Sequence, residues 1–419
     1  MAGPGLPKLA WRNIWRNRRR TLITLMSIAF GTLFAVLMTG IGDSSYSEMI
    51  DQAARLGGGH VIVQHEDYLD RPSLKKTVQL DLESSAALRD DPDIRGFVPR
   101  ITGGVMLSTS TNNVGAMVLG VAPELEDETT LGLATAIVRG EMFADRNADG
   151  IIVGKTLAEN LDLQMGKKVV YTVTDKSGEI ATGLARVSGI LETGATEIDA
   201  GTCLLPLGTL QKALGYGPNE FTQVAVFVDD HRVSEALAER LGQELGDDAG
   251  PNAAVLPWFV VQADLAGFVS LKVYGTLVFE LILTVLVAAG IFNTLFVSVM
   301  ERIRELGILA AIGFSSLQLF ALVMWESLWL SLCGIVAGIL LTAGPYYYLS
   351  TTGLDMTEMY AEQGAQISGI TMEPILYVEL YSPHAWAIAL AIIGATMAAG
   401  LYPAFKAGRV SPVETIRLV

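Results

Sequence analysis

Three short constellations carry residue types associated with chemistry. Gly154-Lys155-Thr156 precedes a predicted helix and copies the end of a phosphate-cradling loop, in which backbone N–H groups and a Lys hold nucleotide phosphates. That loop needs a Gly five residues before Gly154, where Asp149 stands, and Gly150 leaves the loop one residue short. Nucleotide binding is not expected there. Asp145, Asn147, Asp149 and Gly150 copy the opening of a calcium loop, but its twelfth position is Thr156 rather than a bidentate Glu. An acidic turn before a strand accounts for the pattern. His60 and His65, five apart on extended chain, point to opposite faces, and no Cys or third His stands near them. No Ser/His/Asp set can be assembled, so no catalytic residue, cofactor or metal ligand is assigned to this chain.

The other notable charges sit in or between apolar runs. Glu280 and Glu326 each interrupt an otherwise uncharged stretch. Ionisable groups in hydrocarbon are costly and face a bundle interior, a cavity or a partner. Glu280, near the end of its stretch, is expected to reach back to the membrane interface. Glu326 is expected to make a structural hydrogen bond to neighbouring backbone or to a basic cluster, rather than to carry protons. Glu301, Arg302, Arg304 and Glu305 lie between two stretches, ahead of the apolar run Leu306–Ile312. This is a short amphipathic element with a charged end: a solvated turn, or a contact in which mixed charges set register and specificity.

Crossing hydrocarbon takes about 20 apolar residues per helix. Four segments qualify: 21–42, 272–300, 317–344 and 384–405. The first exceeds the roughly 7–15 residues of a signal-peptide core and lacks a small-residue cleavage site, so it is expected to stay in place. The spacings Gly334/Gly338 and Gly394/Ala398 suit close helix contact in lipid. Lys8, Arg12, Arg16, Arg18, Arg19 and Arg20 precede the first span without an acid, and Lys406, Arg409 and Arg417 follow the last. Both termini are therefore expected in the cytoplasm. Residues 43–271 and 345–383 then lie outside, with 301–316 and 406–419 inside. Trp11, Ile14 and Trp15 alternate with Arg, so residues 1–20 read as an amphipathic helix in the inner interface.

The charge distribution agrees with this division. Of 419 residues only 17% are charged, mean hydropathy is +0.41, and yet the formal charge is -15. Between Asp43 and Leu271, 34 carboxylates face 17 Lys plus Arg. Such a surface argues against nucleic acid as partner. Cys203 and Cys333 fall in the soluble part and in an apolar helix, so they are not expected to pair. Within 43–271 the pattern is α+β. Strands are predicted at His60–Gln64, Ile151–Val153, Lys168–Val173, Ala185–Ile190 and Gln223–Val228, and helices at Leu82–Leu88, Thr156–Leu161 and Val233–Leu245. They suggest two lobes, one inserted into the other over about 136–215. Helical spacing at Tyr46, Met49, Ile50, Ala53 and Ala54 extends the first span as a stalk to about Leu56, ended by Gly57-Gly58-Gly59. Residues 258–272 form a second stalk.

Two stretches are similar to one family. Val299–Gly313 reads VMERIRELGILAAIG, and Gly400–Arg417 reads GLYPAFKAGRVSPVETIR. With one span, a large outer domain and three more spans, the chain resembles the FtsX-like permeases of ABC transporters, which include the MacB exporters and the LolC/LolE lipoprotein-release permeases. The resemblance implies a multi-pass bacterial inner-membrane protein with a MacB-like periplasmic domain on helical stalks. It implies a non-catalytic subunit, with ATP and Mg bound by a partner ABC ATPase dimer. Glu301, Arg302, Arg304, Glu305, Leu306, Gly307, Ala311 and Gly313 would form the coupling element docked on that ATPase. A second permease copy, identical or related, and a periplasmic carrier or adaptor are implied as further partners, alongside membrane lipid. The implied activity is mechanotransmission for a lipoprotein or other lipid-linked substrate. Tyr346, Tyr347, Tyr348, Met356, Met359, Tyr360, Ile375, Leu376, Tyr377, Leu380 and Tyr381 of the 345–383 loop would line a lateral gate or cap the bundle. Efflux of peptides or drugs, and FtsX-like signalling to a cell-wall hydrolase, are the alternatives.

Overall fold

The computed structural model describes residues 5–82, 84–357, 366–367, 370–371 and 375–410. The chain forms two units: the described residues of 1–46, 270–357 and 374–419, and those of 47–269 and 358–373.

The first unit is helical. Its elements are α1 (Leu6–Ile14), α2 (Arg18–Ala53), α3 (Ala263–Glu301), α4 (Ile303–Ala311), α5 (Ser316–Thr351) and α6 (Ser382–Gly408). Helices α2, α3, α5 and α6 are long and apolar enough to cross a membrane. Local sequence sets their ends. Gly313, at φ +109°, closes α4 in a conformation that Gly adopts without strain. Ser315 and Gln318 form a reciprocal capping box that starts α5. Gly334 and Gly338 let α5 approach α2 closely: a Cβ at Gly338 would lie 2.6 Å from Thr32 Cβ.

Several expectations need correction here. Residues 1–20 are not one helix. The chain turns at Trp15–Asn17, where the Thr21 hydroxyl donates to the Ile14 carbonyl at 2.5 Å. The buried stripe of α1 is Leu6, Ala10 and Ile14, four residues apart, while Trp11 and Trp15 stay 39% and 40% exposed. The small Ala10 allows α1 to lie against α5, where the Trp329 indole donates to the Pro7 carbonyl at 3.1 Å. Pro345 does not end the third long helix, which continues to Thr351. A Pro inside a membrane helix is tolerated where neighbouring groups satisfy the freed carbonyl. Tyr346, Tyr347 and Tyr348 are therefore helical rather than part of a loop. Gly394 and Ala398 are exposed, and nothing lies within 4 Å of a Cβ at Gly394. The packed face of α6 is instead Thr396, Ala399, Gly400 and Pro403.

The second unit is built on ten strands: β1 (Val61–His65), β2 (Ile94–Ser108), β3 (Asn113–Val121), β4 (Ile137–Gly140), β5 (Gly150–Gly154), β6 (Lys168–Thr174), β7 (Ile180–Leu191), β8 (Thr202–Pro206), β9 (Gln223–Val228) and β10 (Ala253–Pro257). Their order is β10-β1-β9-β2-β3-β8-β5-β7-β4, and β6 pairs with both β2 and β7. That extra pairing closes a ring of six strands, β2-β3-β8-β5-β7-β6. Ile101, Val105, Leu107, Val118, Val153, Tyr171, Val187 and Leu205 belong to one core cluster with Val61, Val63 and Val226 of the first lobe. The 15-residue β2 serves both lobes: its first half pairs with β9 and its second with β3 and β6. The inserted lobe thus starts near Ile101 rather than at 136. A helix at Ser234–Leu245 covers the first lobe, whereas the expected Leu82–Leu88 helix is reduced to Ala86–Arg89.

Candidate functional site

One end of the helical bundle, the basic end, gathers seven polar residues from distant parts of the chain. Arg16, in the turn after α1, makes a two-pronged ion pair with Glu305 on α4; its Nη1 donates to Oε2 at 2.7 Å. Arg20, in the first turn of α2, donates to both oxygens of Glu301 at 2.6 Å. Arg302 Nη1 donates to Glu326 at 3.1 and 3.3 Å, and Asn13 Nδ2 donates to the same carboxylate at 2.8 Å. Arg302 Nε also reaches Glu305 at 3.4 Å. Glu326 is 6% exposed, a burial a carboxylate sustains only when paired and hydrogen-bonded. The Arg16 hydrogen bond holds the Glu305 carboxyl below its usual range and raises the guanidinium in return. A polar cavity of about 270 Å³ opens among these groups, lined also by Thr24, Thr294 and Ser298.

The residues assigned to coupling are therefore split. Glu301, Arg302 and Glu305 turn to partners within their own chain. Leu306 and Gly307 are buried, Leu306 in a cluster with Leu319, Leu322 and Ala404. What α4 presents outward is Arg304, Ile308 (53% exposed), Ala311 and Ile312 (73% exposed), with Gly313 beyond. Ile308 and Ile312 thus form an exposed apolar pair four residues apart, beside the exposed Arg304.

The other end, the far end, is tied differently. Glu280 does not reach back along its own helix; it accepts a hydrogen bond from Thr39 of α2. The strand-like segment 378–381 straps across α2, with Glu379 N–H donating to the Gly40 carbonyl at 3.0 Å. Asp43 Oδ2 accepts from Tyr381 N–H at 3.1 Å and lies 2.7 Å from His384 Nδ1. An apolar cavity of about 280 Å³ runs from this end along α2, α3 and α6, past Thr39, Ala35, Val287 and Ile28.

The discarded motifs have structural roles. Lys155 pairs with Glu192 at 2.6 Å. Asp145 Oδ1 accepts from Asn147 N–H at 2.7 Å, and Asn147 Oδ1 accepts from Lys212 at 2.9 Å. His60, buried, lies 2.8 Å from Asp51, while His65 Nδ1 accepts from Asp67 N–H. Among the described residues no group of three metal-ligating side chains is placed to hold an ion. Both cysteines are free, and burial pushes the Cys203 thiol up to about 12. Met359, Tyr360 and residues 411–417 of the closing motif lie outside the described residues.

Sequence reasoning missed Asn13, Asp43 and His384, and the role of Arg16 and Arg20. One signal was present: Arg16 and Arg20 are four residues apart, as are Glu301 and Glu305, and they pair in antiparallel order. Asp43 and His384 carry no comparable spacing.

The fold and site define a multi-pass membrane protein with an α+β domain inserted between its first and second long helices. Comparison with known proteins places the chain in a family. Residues 21–244 match the MacB-like periplasmic core domain and residues 277–412 the FtsX-like permease C-terminal domain. The chain belongs to this family of ABC transporter permeases. It is 24% identical to the lipoprotein-releasing system transmembrane protein LolC of Xylella fastidiosa, over 95% of this chain and 93% of that one. It is 22% identical to an uncharacterized ABC transporter permease of Methanocaldococcus jannaschii, over 97% and 96%. It is also 24% identical to the macrolide export ATP-binding/permease protein MacB of Hyphomonas neptunium, over 98% of this chain and 60% of that protein.

Proposed function

We propose that this chain is the permease subunit of a MacB/LolC-type ABC transporter. It transmits the ATP-driven motion of a separate ATPase from the basic end of its bundle to its α+β unit. The basic end then faces the cytoplasm and the α+β unit the periplasm, as the six Lys and Arg within residues 8–20 favour. The observation that carries the reading is the bridge between α4 and the start of α2. Arg16, in the turn that leads into α2, pairs with Glu305 of α4, the helix that exposes Ile308, and Arg20 of α2 pairs with Glu301, the last residue of α3. Pushing on α4 therefore moves α2. Helices α2 and α3 contain 36 and 39 residues, well beyond the ~20 that hydrocarbon requires. Each is a continuous rod able to carry displacement out of the membrane. Release of a lipoprotein or another lipid-linked substrate is favoured by the apolar cavity along α2, α3 and α6, which admits an acyl chain and ends at Glu280, Asp43 and His384.

Affinity purification of the tagged chain from its own membranes tests the docking. An ABC ATPase is expected to accompany the wild type and to be lost with Ile308→Asp/Ile312→Asp, whose side chains are exposed and whose change leaves the bundle folded. Undiminished recovery of the ATPase with that variant contradicts the assignment.

A further inference from the structure

Arg16 and Arg20 are engaged within the chain, but the cations beside them are not. Lys8, Arg12, Arg18 and Arg19 are all exposed, and none has an ion-pair partner among the described residues. Lys8 and Arg12, four apart, lie on the face of α1 opposite the buried Leu6, Ala10 and Ile14. Arg18 and Arg19 open α2, whose first turn holds no acid. The positive end of the helix dipole adds to their charge instead of offsetting it. Trp11 and Trp15, half-exposed and edge-on at 5.8 Å, lie in the same 8–19 segment as these four cations, and Trp11 is also edge-on to Trp329 at 5.2 Å. In a chain of net charge -15 such a patch is the exception, and none of the described carboxylates pairs with it. Exposed indoles sit at the headgroup level of a bilayer. Basic side chains beside a membrane helix attract anionic lipid at short range. A soluble polyanion answers the charge but leaves the exposed parts of the two indoles in water.

We propose that Lys8, Arg12, Arg18 and Arg19, with Trp11 and Trp15, form a binding surface for the phosphate headgroups of anionic phospholipid. Bound lipid holds α1 and the first turn of α2 in place, and so presents Arg16 and Arg20 to Glu305 and Glu301. This last step rests on the coupling reading above; the lipid site itself does not.

The test is titration of fluorescent phosphatidylglycerol into the detergent-solubilised full chain, with phosphatidylcholine and inorganic phosphate as comparators. One basic residue at an anionic surface is worth about 1 kcal/mol, or about fivefold in affinity. Arg12→Gln/Arg18→Gln/Arg19→Gln is thus expected to weaken phosphatidylglycerol binding on the order of 100-fold, and the matching Lys substitutions by only a few-fold. If the triple Gln variant does not fold, Lys8→Gln/Arg12→Gln, confined to the exposed face of α1, should lose roughly 25-fold. Binding unchanged in the folded Gln variants, equal affinity for phosphatidylcholine, or full displacement of the lipid by millimolar phosphate would each overturn the proposal. A chain that fails to recruit an ATPase yet binds phosphatidylglycerol selectively defeats the coupling reading and supports this one.

Discussion

The two ends of the helical bundle hold their helices together by different chemistry. At the basic end, Arg16–Glu305 and Arg20–Glu301 tie the start of α2 to α4 and to the end of α3, 289 and 281 residues away in sequence, and Arg302–Glu326 ties the start of α4 to α5. At the far end one carboxylate, Asp43, gathers a backbone N–H and an imidazole, and a backbone hydrogen bond fastens the 378–381 strap to Gly40. Of these pairs only Arg302–Glu326 is buried and costly to separate, while Arg16–Glu305 and Arg20–Glu301 are more exposed and fix geometry more than they add stability. A strap of single hydrogen bonds is easier to open than a buried ion pair.

This contrast can be broken by substitution. The largest effect is expected from Arg302→Met, which leaves Glu326 with Asn13 as its remaining partner. Stranding a buried charge costs about 3 kcal/mol, read as a lower unfolding free energy in detergent. Next is Gly338→Ala, midway between the ends, where the new Cβ meets Thr32. A loss of about 2 kcal/mol is expected in the same assay, unless α5 shifts away from α2. At the far end Asp43→Ala should cost about 1–2 kcal/mol by leaving Tyr381 N–H without its acceptor. Substrate-independent ATPase activity should be preserved in that variant. Arg20→Gln breaks a more exposed pair and should change stability by less than about 1 kcal/mol. Its effect should appear in coupling rather than in melting.

Acidification sharpens the same comparison. The folded pKa of Glu305 is depressed, chiefly by the Arg16 hydrogen bond. Its contribution is therefore complete above the ordinary carboxylate value of about 4.3 and is lost as pH falls through the lower folded value. Wild type should show this acid loss and Arg16→Gln should not, by intrinsic Trp fluorescence of Trp11 and Trp15. In the α+β unit, burial depresses His231, with Asp51 and Asp230 opposing. Stability from keeping that imidazole neutral is present above about 6.5 and declines as pH drops toward the folded value. Proteolysis of the α+β unit between pH 7 and pH 5 should accelerate less in His231→Gln than in wild type.

Much of the architecture was legible because membrane spans and the glycines that end helices are local signals. Four apolar runs gave the four long helices. Val299–Gly313 marked α4, and Gly57-Gly58-Gly59 marked the end of α2. Strands β1, β5, β6 and β9 were readable from alternation. Strands β2, β3 and β8 were not: Pro99, Gly103 and Gly104 in β2, and Gly115 and Gly120 in β3, weaken any strand pattern. The ring closure through β6 is a non-local pairing that no stretch of sequence encodes. At the site, residue types were visible but direction was not. Glu301 and Glu305 read as the charged end of a short amphipathic element, and the structure pairs them with Arg20 and Arg16. The exposed face of α4 fell instead to Ile308 and Ile312, which composition alone assigns to a core.

The coupling claim is tested most directly by distance measurements between spin labels at Glu128→Cys on two permease copies, before and after the partner ATPase binds ATP. Glu128 is exposed in the α+β unit. In the wild-type background the distance should change on ATP binding. In Arg16→Gln/Arg20→Gln the complex should still form and hydrolyse ATP, but the change should largely disappear. An ATP-driven change of full amplitude in that double variant would contradict transmission through the Arg16–Glu305 and Arg20–Glu301 ion pairs.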